Sequence, residues 1–108
     1  MNTSARQELQ YAKGMVERRR ESAEGIGRCS SKHEAMELYS SMTACVREVH
    51  KHYRNITQSV DNKSAKFAEE ASVLLATAKD WRDRSREELI GWGVPANALR
   101  VSEHTEVW

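Results

Sequence analysis

Glycine and proline are missing from a long central part of the chain. The sequence has five glycines and one proline, and neither residue type occurs between Gly27 and Gly91. Both types interrupt helices, glycine through its backbone freedom and proline through its missing N–H. A stretch of this length without them can hold two long helices, with a polar break at Asp61–Ser64. The sequence therefore predicts an all-α fold.

Helix-capping residues divide the chain into three main helices and a short tail. Ser4 is a good N-cap for the first helix, Ser30 or Ser31 can cap the second, and Gly93 and Pro95 end the third. The 108 residues suffice for one domain, so we predict a single elongated bundle. The predicted helices and tail cover residues 5–24, 32–60, 64–92 and 94–108.

Apolar residues recur along the second and third helices at spacings of three and four. On the second helix they form two rows, which make a wider stripe than a coiled-coil seam needs. The second row is predicted to face a partner: Tyr39, Val46 and Tyr53. The first row and its counterpart on the third helix are predicted to form the core or a dimer contact: Leu38, Met42, Val49, Ile56, Phe67, Leu74 and Trp81. A flat layer of three helices leaves an apolar face open, so we predict a homodimer, with a closed monomeric bundle as the alternative.

An apolar cluster surrounds the end of the third helix. Trp92 stands between two glycines, where few side chains can cover it. Tryptophan is enriched at the centres of protein interfaces. The cluster is predicted to bind a partner, with folding back onto the bundle end as an equal alternative: Ile90, Trp92, Val94 and Leu99.

No residue pattern indicates an enzyme, a cofactor or a metal site. The sequence lacks a glycine-rich phosphate loop, a nucleophile elbow and a His-Glu-x-x-His motif. Arg28 could lower the pKa of its neighbour Cys29, although an ordinary loop thiol is favoured. Cys45 lies on the apolar stripe and is predicted to be buried. Cys45, Glu48 and His52 share a helix face, but zinc normally needs four ligands, so His52 is interpreted as a helix-interface histidine.

Charge is nearly balanced. Lys and Arg number 17 and Asp and Glu 16, which gives a net charge of +1 and argues against nucleic-acid binding through bulk electrostatics. Basic residues cluster at Arg18–Arg20 and in the row Arg47, Lys51 and Arg54, where neighbouring glutamates favour salt-bridged surfaces. Arg19 occupies a predicted seam position, so it should mark the edge of the apolar face or contact a partner. The two basic clusters still leave a helical nucleic-acid-binding regulator as one alternative function.

The compartment is predicted to be the cytoplasm. No apolar run approaches the roughly 18 residues that a membrane span requires, and the N-terminus shows no apolar signal segment. The two cysteines are interpreted as reduced thiols.

The segment Trp81–Asn97, with the sequence WRDRSREELIGWGVPAN, resembles the QslA-like quorum-sensing antiactivators of Pseudomonas. The chain's size and its three long helices without a catalytic motif add to this resemblance. The resemblance implies a helical homodimer that binds the ligand-binding domain of a LuxR-type transcription factor. It also implies that the bound chain covers the factor's dimerisation surface, so that the factor no longer holds its promoter. A helical chaperone or structural component of a secretion or phage assembly is a further alternative.

Overall fold

Three α-helices make up the structure. The computed structural model describes residues 4–58 and 64–99, and within these ranges it contains no strand. The helices are α1 (Ala5–Ala23), α2 (Lys32–Thr57) and α3 (Ser64–Gly91). One further helical turn follows at residues 96–99. The predicted all-α class with three main helices is confirmed.

The helices begin at the predicted capping residues. Ser4 Oγ accepts a hydrogen bond from the N–H of Gln7 at 3.2 Å, which satisfies one of the free donors of the first turn. Ser31, rather than Ser30, caps α2, and its Oγ accepts from the N–H of Glu34 at 3.1 Å. Ser30 Oγ instead donates to the Glu34 carboxylate at 2.7 Å. This first turn of α2 is therefore held by two serines and one glutamate.

The helix ends differ slightly from the sequence prediction. α1 and α3 each end one residue earlier than predicted, and α2 ends at Thr57 instead of residue 60. After α3, Gly93 takes a φ of +98°, the left-handed region that glycine occupies without strain. The N–H of Val94 donates to Leu89 O at 3.2 Å and the N–H of Gly93 to Ile90 O at 3.0 Å, the Schellman pattern of a helix C-terminus. The predicted tail beyond Leu99 lies outside the described residues.

The core runs the length of the bundle in three clusters. At one end Ile56, near the end of α2, packs with Ala71, near the start of α3. At the other end Tyr39 packs with Leu89, so α2 and α3 are antiparallel. The central cluster joins all three helices through Ala12, Val16, Met42, Cys45, Val46, Val49, Leu75, Ala78 and Trp81.

Most of both apolar rows of α2 is covered within the single chain, with Leu38 and Tyr53 half-buried. Met42, Val46, Val49 and Ile56 are fully buried, and Tyr39 is 5% exposed. The expectation of an open apolar face on α2 is therefore wrong, because α1 and α3 both pack against it and close a three-helix bundle. The width of the stripe no longer argues for a homodimer. No helix in the described part of the chain is both long and apolar enough to cross a membrane.

Candidate protein-binding surface at the end of α3

Trp92 is a large apolar side chain that the bundle leaves exposed. Its residue is 42% exposed, immediately after the last residue of α3. It lines an open groove of about 610 Å³ together with Ile26 and Gly27 of the α1–α2 turn and Arg84 of α3. The other exposed large apolar residues of the described chain are Tyr11, Met36 and Val73.

The predicted cluster around Trp92 is divided by the fold. Leu99 is 8% exposed and packs with Tyr39 and Leu89, while Ile90 and Val94 lie half-buried against the same group. The hydroxyl of Tyr39 donates to Leu99 O at 3.4 Å, which fastens the last helical turn to α2. Three of the four residues thus cap the end of the bundle to differing extents, and Trp92 lies outside this cluster and lines the groove.

Glu88 holds the α1–α2 turn against α3. Its Oε2 accepts the backbone N–H of Cys29 at 3.1 Å, and its Oε1 accepts the thiol of Cys29 at 3.1 Å. Burial by itself raises the pKa of Glu88, but hydrogen bonds from the backbone of Gly27 and from Cys29 outweigh it, so the pKa is lowered. The carboxylate therefore stays ionised and fixes the turn that forms one wall of the groove.

The Cys29 thiol is held protonated. Its pKa is raised to about 11, first by burial, then by its hydrogen bond to Glu88 and by the charges of Glu88 and Glu34. The idea that Arg28 lowers this pKa is wrong, because the contact with an acidic side chain of α3 was not visible in the local sequence. Cys45 is fully buried, as predicted, and burial raises its pKa as well.

A second groove continues from the first towards the middle of the bundle. Arg84 lines both, and the second, of about 470 Å³, also includes Arg20, Arg28 and Trp81. The guanidinium of Arg20 lies over the Trp81 ring, 5.8 Å from its centroid. We call Ile26, Arg28, Arg84, Gly91 and Trp92 together the Trp92 surface.

Sequence reasoning missed Ile26, Arg28 and Arg84 as part of this surface. A signal was available for one of them, because Arg84, Glu88 and Trp92 recur every four residues and so lie on one side of α3. Nothing in the local sequence shows that the α1–α2 turn meets that side.

The other predicted partner residues lie elsewhere. Tyr39 and Val46 are buried inside the chain, and Tyr53 is half-buried between the central cluster and the Ile56 end. We therefore leave them out of the proposed contact surface. The residues predicted for the core or dimer stripe all take part in packing within this chain: Leu38, Met42, Val49, Ile56, Phe67, Leu74 and Trp81.

Two predicted polar positions join α1 to α2. Arg19 Nη1 lies 3.1 Å from Glu48 Oε2, so Arg19 marks the edge of the apolar face. His52 contacts Glu8 through Nδ1, and Asn55 Nδ2 donates to the same carboxylate at 3.3 Å. His52 is thus a helix-interface histidine, as predicted. Among the described residues, no group of three or more His, Cys, Asp or Glu side chains is arranged to hold a metal ion.

Comparison with known proteins returns no similarity. No protein-family model matches the chain, and neither a curated protein nor a solved structure shows significant similarity to it.

Proposed function

We propose that this chain acts by binding another protein through the Trp92 surface, and that the bound protein is a LuxR-type transcription factor. In this proposal the chain covers the surface through which the factor dimerises, in the cytoplasm, and so keeps it from its promoter. The observation that carries the proposal is the exposed Trp92, whose apolar neighbours in the sequence, Ile90, Val94 and Leu99, are buried or half-buried.

The composition and rigidity of the Trp92 surface suit binding. Trp and Arg are the residue types most enriched among those that dominate interface energies, and this surface has one Trp and two Arg. Trp92 lies within the Schellman end of α3, where its N–H donates to Leu89 O at 3.0 Å, and Glu88 fixes the opposite wall. A surface that is already ordered loses little entropy on binding, so more of the contact energy appears as affinity.

The choice of a LuxR-type factor rests on the resemblance of one segment. Trp81–Asn97 carries that resemblance and includes Arg84, Glu88 and Trp92 of this end of the molecule. Inhibition of this kind needs only competition between this chain and the second subunit of the factor's dimer for one apolar patch on the factor. A standard interface buries roughly 1,600 Å² in total, so the contact would extend beyond the groove to neighbouring parts of the chain.

The test compares two exposed apolar residues. Wild type, Trp92→Ala and Val73→Ala are titrated against a LuxR-type ligand-binding domain and followed by size-exclusion chromatography with light scattering. Val73 is 62% exposed on α3 and belongs to neither groove, so it is a matched control. We expect Trp92→Ala to weaken the complex at least tenfold, since loss of such an anchor costs about 2 kcal/mol, and Val73→Ala to change it less than about twofold.

The outcomes test the identity of the partner and the location of the binding surface separately. A receptor dimer that persists with wild type present refutes the LuxR-type assignment. A pull-down from the native organism with the same three baits then tests the surface by itself. Capture of the same protein by all three baits would refute the Trp92 surface as the binding site.

The homodimer belongs to the same proposal. Two copies can pair through apolar side chains that one chain leaves exposed, and Trp92 lies in the largest of the grooves described above. We propose that copies pair through the Trp92 surface and separate when a partner takes it. Light scattering of wild type and Trp92→Ala tests this pairing. A monomeric wild type, or a dimer that survives the substitution, contradicts it.

A further inference from the structure

The two grooves beside α3 differ in the side chains that line them. The first groove holds the exposed Trp92, and the second has three arginines in its lining, Arg20, Arg28 and Arg84. Arg84 lines both grooves, and residues of the α1–α2 turn border both, so the two grooves adjoin. A ligand that follows them meets an apolar ring at one end and guanidinium groups at the other.

The two ends lie about two helical turns apart. Arg84 and Trp92 are eight residues apart on α3, which is about 12 Å along the helix axis. A protein segment spans this length with about eight residues as a helix or about four as an extended strand. The spacing therefore suits a segment of another protein that contacts both ends at once.

Two of the three arginines are open to an outside carboxylate. Arg28 is exposed and takes part in none of the ion pairs that the structure shows within residues 4–58 and 64–99. Arg84 Nη1 lies 3.9 Å from Asp80 Oδ2, and the two side chains are 54% and 64% exposed. A pair that is so long and so exposed contributes little, so a carboxylate from a partner can compete with Asp80 for Arg84.

Arg20 has a different part in the second groove. Its Nη2 donates to Glu17 Oε1 at 3.0 Å, and its guanidinium lies over the Trp81 ring, 5.8 Å from the ring centroid. These two contacts already hold Arg20 in place. Glu24 also lines this groove and repels a carboxylate that comes close to it. Arg28 and Arg84 are therefore the two arginines best suited to share one carboxylate.

The backbone around Arg28 is fixed relative to α3. Its N–H donates to Gly25 O at 3.0 Å, and the next N–H, that of Cys29, donates to Glu88 Oε2 at 3.1 Å. The turn thus carries the Arg28 side chain from a defined position, and only that side chain has to be ordered on binding.

We infer that the protein which binds the Trp92 surface presents an acidic segment to it. The segment places an apolar side chain against Trp92 and, about 12 Å away, a carboxylate between Arg28 and Arg84. This inference rests on the proposed function and adds the chemistry of the partner to it. Hydrogen bonds between guanidinium and carboxylate groups are strong and directional, so they fix the register of the segment and reject a segment with lysine at that position.

A nucleic acid is the weaker candidate for these two grooves. Glu87 and Glu88 line the first groove, and Glu24 lines the second. A run of phosphates along both grooves would pass these carboxylates, whereas a protein segment can carry its one acidic side chain at the arginines alone.

Selection of peptides on the folded protein tests the inference without a known partner. A phage library of random peptides of about 16 residues, roughly 24 Å long as helices, is selected on wild type and depleted on Trp92→Ala. We expect the enriched peptides to carry Asp or Glu about eight positions from an apolar residue when helical, or about four when extended. Selection on Arg28→Glu/Arg84→Glu should instead enrich Lys or Arg at that spacing, because the charge of the groove is reversed.

An affinity measurement in solution makes the test quantitative. The most enriched peptide is labelled and titrated by fluorescence anisotropy with wild type and with Arg28→Gln/Arg84→Gln, which keeps side chains of similar polarity. We expect this variant to bind roughly tenfold more weakly at about 150 mM salt, and the difference to shrink at about 500 mM salt. Replacing the acidic residue of the peptide by Gln should cost wild type as much and should cost the variant less than about twofold.

A control pair removes the same charge elsewhere on the bundle. Arg6 and Arg18 are exposed on α1 and line neither groove, so Arg6→Gln/Arg18→Gln should change peptide affinity less than about twofold. Circular dichroism checks that each double variant keeps the helical content of wild type, and the Gln pair carries the test if the Glu pair does not fold.

The outcomes distinguish this inference from the function on which it rests. Peptides that need Trp92 but show no acidic excess, or equal losses in the two Gln pairs, overturn the acidic segment and leave the Trp92 surface standing. Peptides that bind wild type and Trp92→Ala equally, or no enrichment at all, overturn the surface and the segment together.

Discussion

Charged side chains form two kinds of pair in this bundle, one between elements and one within α3. Between elements, three carboxylates meet hydrogen-bond donors from a neighbouring helix or turn: Glu8, Glu48 and Glu88. Within α3, Asp83 Oδ1 lies 3.1 Å from Arg82 Nη2 and 4.0 Å from Arg86 Nη2. A pair between two elements holds them together, whereas a pair between neighbours on one helix adds only a few tenths of a kcal/mol to that helix. The first kind therefore stabilises the packing of the elements, and the second kind stabilises α3 alone.

The largest effect is expected when the Glu8 carboxylate, which joins α1 to α2, is removed. Glu8 is 6% exposed and accepts from both His52 and Asn55. Glu8→Ala removes a buried carboxylate that joins α1 to the half-buried His52 and to Asn55 of α2, so we expect the free energy of unfolding to fall by about 2–3 kcal/mol in urea titrations. Glu8→Gln keeps an acceptor and should lose about half of that.

Glu17→Ala is the control for Glu8. Glu17 pairs with Arg20, but the two side chains are 66% and 53% exposed, so the loss should stay below about 0.5 kcal/mol. Equal losses for Glu8→Ala and Glu17→Ala would show that the α1 side is not held by its buried carboxylate.

A smaller effect is expected where Glu88 holds the turn. Its lowered pKa means that this stability is present above the ordinary glutamate range near 4.5 and is lost as the pH falls through the lowered value. Glu88→Gln should cost about 1 kcal/mol at neutral pH and flatten the acid side of the stability curve. An unchanged acid side would contradict this role.

Glu88→Gln is also tested through the reactivity of the Cys29 thiol. Because its pKa is raised to about 11, the thiol contribution to stability is present below 9.0 and is lost as the pH rises towards 11. Wild-type Cys29 should react with iodoacetamide at pH 8 far more slowly than the urea-unfolded chain, and Glu88→Gln should speed the folded reaction several-fold. Equal rates in folded and unfolded wild type would refute the hydrogen bond between Cys29 and Glu88.

Arg19→Ala tests the more exposed ion pair between α1 and α2, which Arg19 forms with Glu48. Its side chain is 21% exposed and that of Glu48 is 41% exposed, so solvent weakens the pair. We expect a loss of about 0.5–1 kcal/mol in urea titrations, restored in part by Arg19→Lys. A loss as large as that of Glu8→Ala would mean that solvent exposure does not determine how much each pair contributes to the free energy of unfolding.

The smallest effect is expected for a charge near His50, which is buried between α2 and α3. The pKa of His50 is lowered first by burial and then by the positive charges of Lys79 and Arg54. Lys79→Gln removes one of these charges, so the pKa of His50 should rise part of the way towards 6.5, as followed by NMR titration of its ring protons. The free energy of unfolding should change by no more than a few tenths of a kcal/mol. Arg18→Gln on α1 should leave the His50 pKa unchanged, and an unchanged pKa in Lys79→Gln would show that Lys79 does not act on His50.

Much of the local structure could be predicted from neighbouring residues. Ser4 and Gly93 act within one turn of their own helix, and the burial of Met42 and Val49 follows from a spacing that any helix converts into a face. The sequence could not show whether Tyr39 and Val46 are buried in the core or exposed to a partner. An apolar row predicts a contact but does not identify the surface that it contacts. The meeting of Cys29 with Glu88 joins positions 59 residues apart, and no local pattern reports it.

The sequence by itself determined that the chain is three helices and where their apolar faces lie, because backbone hydrogen bonds and side-chain period depend on residues within a few positions. Only the tertiary structure decided that α1 and α3 cover most of both rows of α2, that Trp92 stays exposed while Leu99 is buried, and that Glu88 meets the α1–α2 turn at Cys29. These outcomes depend on how the helices pack against one another, since the close-packed interior of a single bundle fixes which faces meet and which remain in water.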